Sequence, residues 1–285
     1  MIKGPVLVAT DLNQGGDEAV RQADSLARHL GGPLHVCHVL PELLRTRMLF
    51  PQLQQQDAKD RQALEGKASQ ALARSVEALT GRSREQYALR LDTGSPHSGI
   101  LLHAEEVRPG LLVLGAGRVA ARVVRYAPCP VLVARPSPSG RVVGATDFSD
   151  PSLPAVEAAV SEATRRGVTP CLVHSIDLAL IEAGPMPLGF AVPAVTEHVL
   201  KEMKATAQRQ LEACLTSHRA TGECRVDDGP AASAIVRAAR ELPAELVVVG
   251  TRGRTGLARL ALGSVAEAVL TDAPCSVLVV RLHEG

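Results

Sequence analysis

The sequence has no tryptophan, and only two tyrosines and three phenylalanines among its 285 residues. A stacking platform for single-stranded nucleic acid needs repeated aromatic rings, so the composition argues against that class. An excess of charge is also missing: 31 Lys and Arg against 30 Asp and Glu leave a formal net charge of +1, and the basic residues are scattered. A protein that grips a phosphate backbone needs a concentrated basic surface. No run of 18 apolar residues occurs, and the most apolar connection, 177–196, is interrupted by Glu182, Pro185, Pro187 and Pro193. That rules out a membrane-spanning helix. The opening Met1-Ile2-Lys3-Gly4-Pro5 lacks a signal-peptide layout. The six cysteines have neither CxxC nor Cys/His metal-ligand spacing. The expectation is a cytoplasmic protein with reduced, buried thiols, taking neither nucleic acid nor membrane as partner.

What the chain does contain is aliphatic bulk and a repeat. Hydrophobic residues make up 46%, and the length suits two domains. Val6-Leu7-Val8-Ala9-Thr10-Asp11 reappears as Val142-Val143-Gly144-Ala145-Thr146-Asp147, 136 residues on. At the same shift Leu34-His35-Val36-Cys37-His38 meets Pro170-Cys171-Leu172-Val173-His174. Asp92-Thr93-Gly94 resembles Asp227-Asp228-Gly229, and Leu111-Leu112-Val113-Leu114-Gly115 resembles Leu246-Val247-Val248-Val249-Gly250, at a shift of 135. Ala127-Pro128-Cys129 matches Ala273-Pro274-Cys275 at 146. Blocks repeated in one order mark a tandem duplication. Its seam is the Pro/Ser/Gly run Arg135 to Gly140, which places domains at 1–136 and 141–285.

Each copy alternates short apolar runs with helical patterns. In the second, strands are expected at 141–145, 169–175, 223–227, 245–250 and 276–281, and helices at 152–166, 194–220, 231–241 and 264–272. Runs such as Leu246-Val247-Val248-Val249 lack period-2 alternation, as in strands covered on both faces. Strands alternating with helices build βαβ units. The predicted fold class is therefore α/β: two tandem doubly wound domains, each a mainly parallel five-stranded sheet flanked by helices.

In such sheets ligands bind beyond the carboxyl ends of the strands. In the second copy these ends are Asp147, His174-Ser175, Asp228-Gly229 and the segment from Gly250. That segment holds Gly250, Gly253 and Gly263-Ser264, a Gly-x2-Gly-x9-Gly-Ser pattern that is neither a Walker loop nor the dinucleotide fingerprint. Glycines let backbone amides approach a phosphate closely, and Gly263-Ser264 opens a helix whose N-terminus favours an anion.

On these residues the chain resembles a two-domain member of the universal stress protein family, whose nucleotide-binding branch carries this signature. The Thr-Asp after the first strand and the Ala-Pro-Cys before the last also resemble that family. The resemblance implies ATP as ligand, with or without Mg²⁺. It sets Asp147 beside the adenosine, Gly250 near the ribose, and Gly253, Gly263, Ser264 and Val265 facing the phosphates. Ser175 stands where the family often has an apolar residue beside the base. Ala145, Thr146, Val249 and Arg252 complete the candidate nucleotide set.

Structural readings of the same residues stand beside these. Ser264 with Glu267 forms a capping-box pattern, Gly250 and Gly253 suit a tight turn, Asp147 suits a helix cap, and His174 suits a hydrogen-bonded strand position. No catalytic constellation is evident. The leading reading is an ATP-binding stress-response protein, the alternatives being a nucleotide-free interaction module and a slow ATPase or other nucleotide-using enzyme.

In the first copy Gly115 and Gly117 are 2 apart, where Gly250 and Gly263 are 13 apart, so eleven residues of the loop are missing. One nucleotide site per chain is expected, in the C-terminal domain. The family resemblance further implies pairing through the last strands, Val131-Leu132-Val133 and Val277-Leu278-Val279-Val280. We therefore expect an intramolecular pseudo-two-fold pairing of the halves, and a homodimer is a further option. Expressed separately, the two halves should associate when mixed; size-exclusion profiles of two non-interacting monomers would end that idea. The apolar connections Leu43 to Leu53 and Leu178 to Val195 are expected to fold over the sheet or to serve as a lid or chain contact.

Overall fold

The computed structural model describes residues 4–40, 54–137, 140–178, 196–251 and 262–281, with the side chains of 54–62 left out. Both apolar connections, 43–53 and almost all of 178–195, lie outside the described residues. The chain divides into two compact units, 2–136 and 137–285.

The first unit runs β1 (Val6–Ala9), α1 (Gln14–Leu30), β2 (Leu34–Leu40), α2 (Gln54–Thr80), β3 (Tyr87–Thr93), α3 (Pro96–Val107), β4 (Leu111–Gly115), α4 (Arg118–Tyr126) and β5 (Val131–Ala134). Its strand order is β3-β2-β1-β4-β5 and every pairing is parallel. The second runs β6 (Arg141–Ala145), α5 (Leu153–Arg166), β7 (Pro170–Ile176), α6 (Glu197–Ser217), β8 (Glu223–Asp228), α7 (Ala231–Glu241), β9 (Ala244–Gly250), α8 (Ser264–Asp272) and β10 (Ser276–Val280). Its order is β8-β7-β6-β9-β10, again parallel throughout. Each unit is the expected doubly wound α/β sheet, with its switch point beside β1 or β6.

The two copies share backbone detail as well as order. Helices α1 and α5 both end on a left-handed glycine, Gly31 at φ 65° and Gly167 at φ 68°, where a Cβ would be penalised. Just after the site aspartates, Leu12 and Phe148 take the same left-handed backbone, at φ 61° and 63°. The outermost strands carry matching charged pairs, Arg90 with Asp92 and Arg225 with Asp227, both at 2.8 Å. Charges on an edge strand discourage pairing with foreign strands.

The core is aliphatic: Leu7, Leu34, Leu111 and Leu112 in one unit, and Leu172, Leu211, Leu246 and Leu278 in the other, are at most 2% exposed. Each such side chain contributes about 1.5–3 kcal/mol of burial, which suffices without aromatic bulk. All six cysteines are free, four of them buried. Burial pushes the Cys37 and Cys171 thiols up to about 12, so they stay protonated and inert. Among the described residues no helix is long and apolar enough to cross a membrane.

Candidate functional site

At the switch point of the second unit lies a cleft of about 700 Å³, within the usual range for a small-molecule site. Its floor is the carboxyl ends of three adjacent strands: Ala145 to Asp147 after β6, Val173 to Asp177 along β7, and Val249 to Thr251 after β9. Its walls are the first turns of α7 and α8, with Met203 of α6 closing one side.

Hydrogen bonds fix the floor from below. The Thr146 and Ser152 hydroxyls are buried against each other at 2.9 Å, and Thr146 Oγ1 also accepts the Phe148 amide at 3.0 Å. His174 donates from Nδ1 to the Thr146 carbonyl at 2.9 Å, which holds its ring as a strand-to-turn tie. His38 makes the same bond to Thr10 in the first unit, at 2.7 Å. A bond present in both copies is a feature of the fold, consistent with the structural reading of His174.

Asp147 accepts from both the amide and the hydroxyl of Ser149 through Oδ1, forming a local turn rather than capping α5 directly. A short 3₁₀ turn, Asp150–Ser152, precedes α5, so the helix expected from 152 begins at Leu153. The Ser175 hydroxyl donates to the Gly229 carbonyl, while the Gly229 amide donates to Ile176 at 3.0 Å. These two bonds tie the end of β7 to the turn that starts α7. Gly229 sits there at φ +92°, a conformation that favours glycine.

The stem of the glycine loop is closed by its own backbone. The Gly263 amide donates to Thr251 at 2.9 Å, and the Thr251 amide to Val280 at 2.9 Å. Gly250 and Gly263 thus both line the cleft although 13 positions separate them. The capping-box expectation for Ser264 needs correction: the N-cap is Gly263, which makes no side-chain cap bond, and Ser264 is the first helical residue. Ser264 and Val265 are exposed at the cleft. The leading amides of α8 have no intrahelical partner, nor do those of α7, and both helix starts carry partial positive charge. Partial positive charge at two helix starts favours an anion over a cation in such a cleft.

Of the eleven residues predicted from sequence, Ala145, Thr146, Asp147, Ser175, Val249, Gly250, Gly263, Ser264 and Val265 line this cleft. Arg252 and Gly253 lie outside the described residues. Sequence reasoning missed Ser152, Ile176, Met203, Thr251 and the α7 face of Pro230, Ala231, Ala232 and Ile235. The α7 face was accessible: Asp228-Gly229 ends a strand, and Ala232 and Ile235 follow at helical spacing. Met203 carried no such signal, because it enters from the middle of α6.

The corresponding place in the first unit is built differently. There α1 begins at Gln14, with Asn13 Oδ1 capping the amides of Gly15 at 2.9 Å and Gly16 at 3.1 Å. A Cβ on Gly115 would lie 2.6 Å from the carbonyl of Gly15, so the helix backbone rests directly on the end of β4. A Cβ on Gly16 would come within 2.5 Å of Thr10 Oγ1, whereas the matching Ser152 keeps hydrogen-bonding distance from Thr146. Gly15-Gly16 thus opens α1 where the second unit has Pro151-Ser152 before α5.

Fold and cleft together define a tandem pair of doubly wound α/β units with an anion-suited small-molecule cleft at the switch point of the second. A family model for the universal stress protein family matches the chain twice, over residues 4–135 and 139–281, and the chain belongs to that family. It is 32% identical over 141 residues to a universal stress protein of Methanocaldococcus jannaschii, covering 50% of this chain and 81% of that one. Against a universal stress protein of Mycobacterium tuberculosis it is 36% identical over 180 residues, 58% of this chain. The match spans 56% of that relative's length. Among solved structures, a universal stress protein of Archaeoglobus fulgidus superposes with a TM-score of 0.67 at 18% identity, covering 98% of this chain and 97% of that one.

Proposed function

We propose that the second unit binds a single adenine nucleotide, ATP foremost, and that occupancy of this site governs a cytoplasmic stress response through conformation or partner choice. The observation that carries this reading is that apolar side chains and a glycine-opened helix start line one cleft. Val173, Ile176, Met203, Ile235 and Val249 offer an apolar slot for a flat base. Gly263, Ser264 and Val265 supply backbone and a helix start for phosphates, with Gly250 near the ribose. Asp147, which also lines the cleft, offers a carboxylate to the adenosine. Mg²⁺, when present, would travel with the phosphates and offset their charge.

The reading gives precedence to binding over turnover, with slow hydrolysis as the enzymatic alternative. A nucleotide-free role is favoured for the first unit by one observation, the absence of eleven loop residues between Gly115 and Gly117. The test is to purify the protein without added nucleotide, denature it, and quantify released adenine nucleotide per chain, for wild type and Gly263→Val. Gly263 has φ −64° and ψ 147°, ordinary for any residue, so valine adds bulk at the cleft without backbone strain. Wild type should release one nucleotide per chain and a folded Gly263→Val none. No nucleotide in wild type, and no binding when ATP is added back, would favour the interaction-module reading instead. Release of ADP or AMP would direct the next assay to hydrolysis.

A further inference from the structure

A second, smaller groove of about 380 Å³ adjoins the cleft and shares His174, Ile176 and Met203 with it. The shared residues locate the junction. β6 lies between β7 and β9 in the sheet, so the β7–α6 side of the cleft is remote from the start of α8 after β9. If the phosphates occupy the α8 amides, the base occupies the β7 side, and the groove continues past the base. In adenine the ribose-bearing nitrogen and the exocyclic amine lie on opposite edges of the ring system. A nucleotide laid this way directs its exocyclic amine to the junction.

The groove has its own chemistry. The Phe148 ring packs on His174 with centroids 4.3 Å apart and planes tilted by 31°, and Val199, Met203 and Ala207 of α6 face the same space, with Glu202, Thr206 and Gln210 of the same helix at its outer side. Phe148 is only half-buried and Val199 is 42% exposed. The chain has just three phenylalanines, yet one stands at this partly open position. In the first unit the matching residue is Leu12, on the same left-handed backbone. The turn therefore does not demand an aromatic ring; the ring is particular to the second copy.

From this we propose that the second unit accepts adenine nucleotides bearing an apolar or aryl group on the exocyclic amine, with that group seated against Phe148 and Val199. The proposal rests on the nucleotide reading of the cleft and adds a ligand class to it. Burial of a phenyl ring should raise affinity about tenfold.

The test is calorimetric titration of the full chain with ATP and with ATP benzylated on its exocyclic amine. Two variants accompany it. Thr206→Trp fills the groove from an exposed position on α6, and Phe148→Leu installs the residue the first unit already tolerates on that backbone. Neither position lines the cleft. Expected is a roughly tenfold preference for the benzylated nucleotide in wild type, abolished by either variant while ATP affinity is unchanged. The proposal is overturned if wild type binds ATP but prefers it to, or does not distinguish it from, the benzylated form. It is equally overturned if the preference survives both folded variants. Binding of neither nucleotide would instead overturn the nucleotide reading itself, and this proposal with it.

Discussion

Substituting Gly144 by valine should destabilise the second unit by about 2–3 kcal/mol, and substituting Leu172 by valine in the same chain should recover the part of the loss that comes from Leu172. Gly144 lies in β6, paired in register with Leu172 of β7. A Cβ at Gly144 would stand 2.6 Å from the Ala159 methyl of α5 and 3.0 Å from Cδ2 of Leu172. Ala159 and Leu172 are both fully buried, so neither can retreat into solvent. The first unit solves the same packing problem with another set of volumes: Val8 pairs with Val36 in the same register, and Ala23 stands where Ala159 does. Glycine with leucine in one copy does the work of valine with valine in the other. Leu172→Val alone should cost about 1 kcal/mol through the space it leaves. Combined with Gly144→Val it vacates the volume the new methyls need, so the two changes should couple by about 1–2 kcal/mol. Thermal and urea unfolding of the four-member cycle measures this, with a melting midpoint for Gly144→Val lower by roughly 10 °C. Strictly additive losses would show that the copies do not share a core architecture at this position.

That comparison also shows why so much of the fold was legible. Strand runs such as Val247-Val248-Val249 are apolar because both faces are covered, so their limits in the structure fall within a residue of those read from the sequence. Duplication supplied an internal alignment, with Thr146-Asp147 against Thr10-Asp11 and Gly250 against Gly115, so the strand ends could be located twice. The cleft was legible where it is made of strand ends and glycines. It was less so where tertiary packing decides, as with Met203 entering from α6 or Ser152 turning its hydroxyl onto Thr146. The Ser264–Glu267 pattern misled because a capping box and a helix opened by glycine share a local sequence. The backbone resolves the choice by bonding the Glu267 amide to the Gly263 carbonyl, which sets the helix start one residue earlier than a Ser264 cap would.

The asymmetry between the units leads to the other large effect. Deleting residues 252–262 would leave Gly250-Thr251-Gly263, the spacing of Gly115-Ala116-Gly117. The first unit shows that so short a link joins its fourth strand to its fourth helix, since α4 starts directly after Gly117. The shortened second unit should therefore retain its secondary structure by circular dichroism. Its affinity for ATP should nevertheless collapse. Losing even two charge-assisted hydrogen bonds to phosphate, at about 1.5–3 kcal/mol each, weakens binding by roughly a hundredfold or more. Equilibrium dialysis with labelled ATP would read this directly, and retained affinity would mean that the strand ends and the α7 start carry binding by themselves. The converse graft, placing those eleven residues between Ala116 and Gly117, should create no second site. Loop length is only one difference there, because the helix that opens on the strand ends begins with Gly15-Gly16 where the second unit has Pro151-Ser152. Binding at two sites in the grafted chain would show that the loop alone decides occupancy; binding at one would give weight to the residues that differ at the helix start.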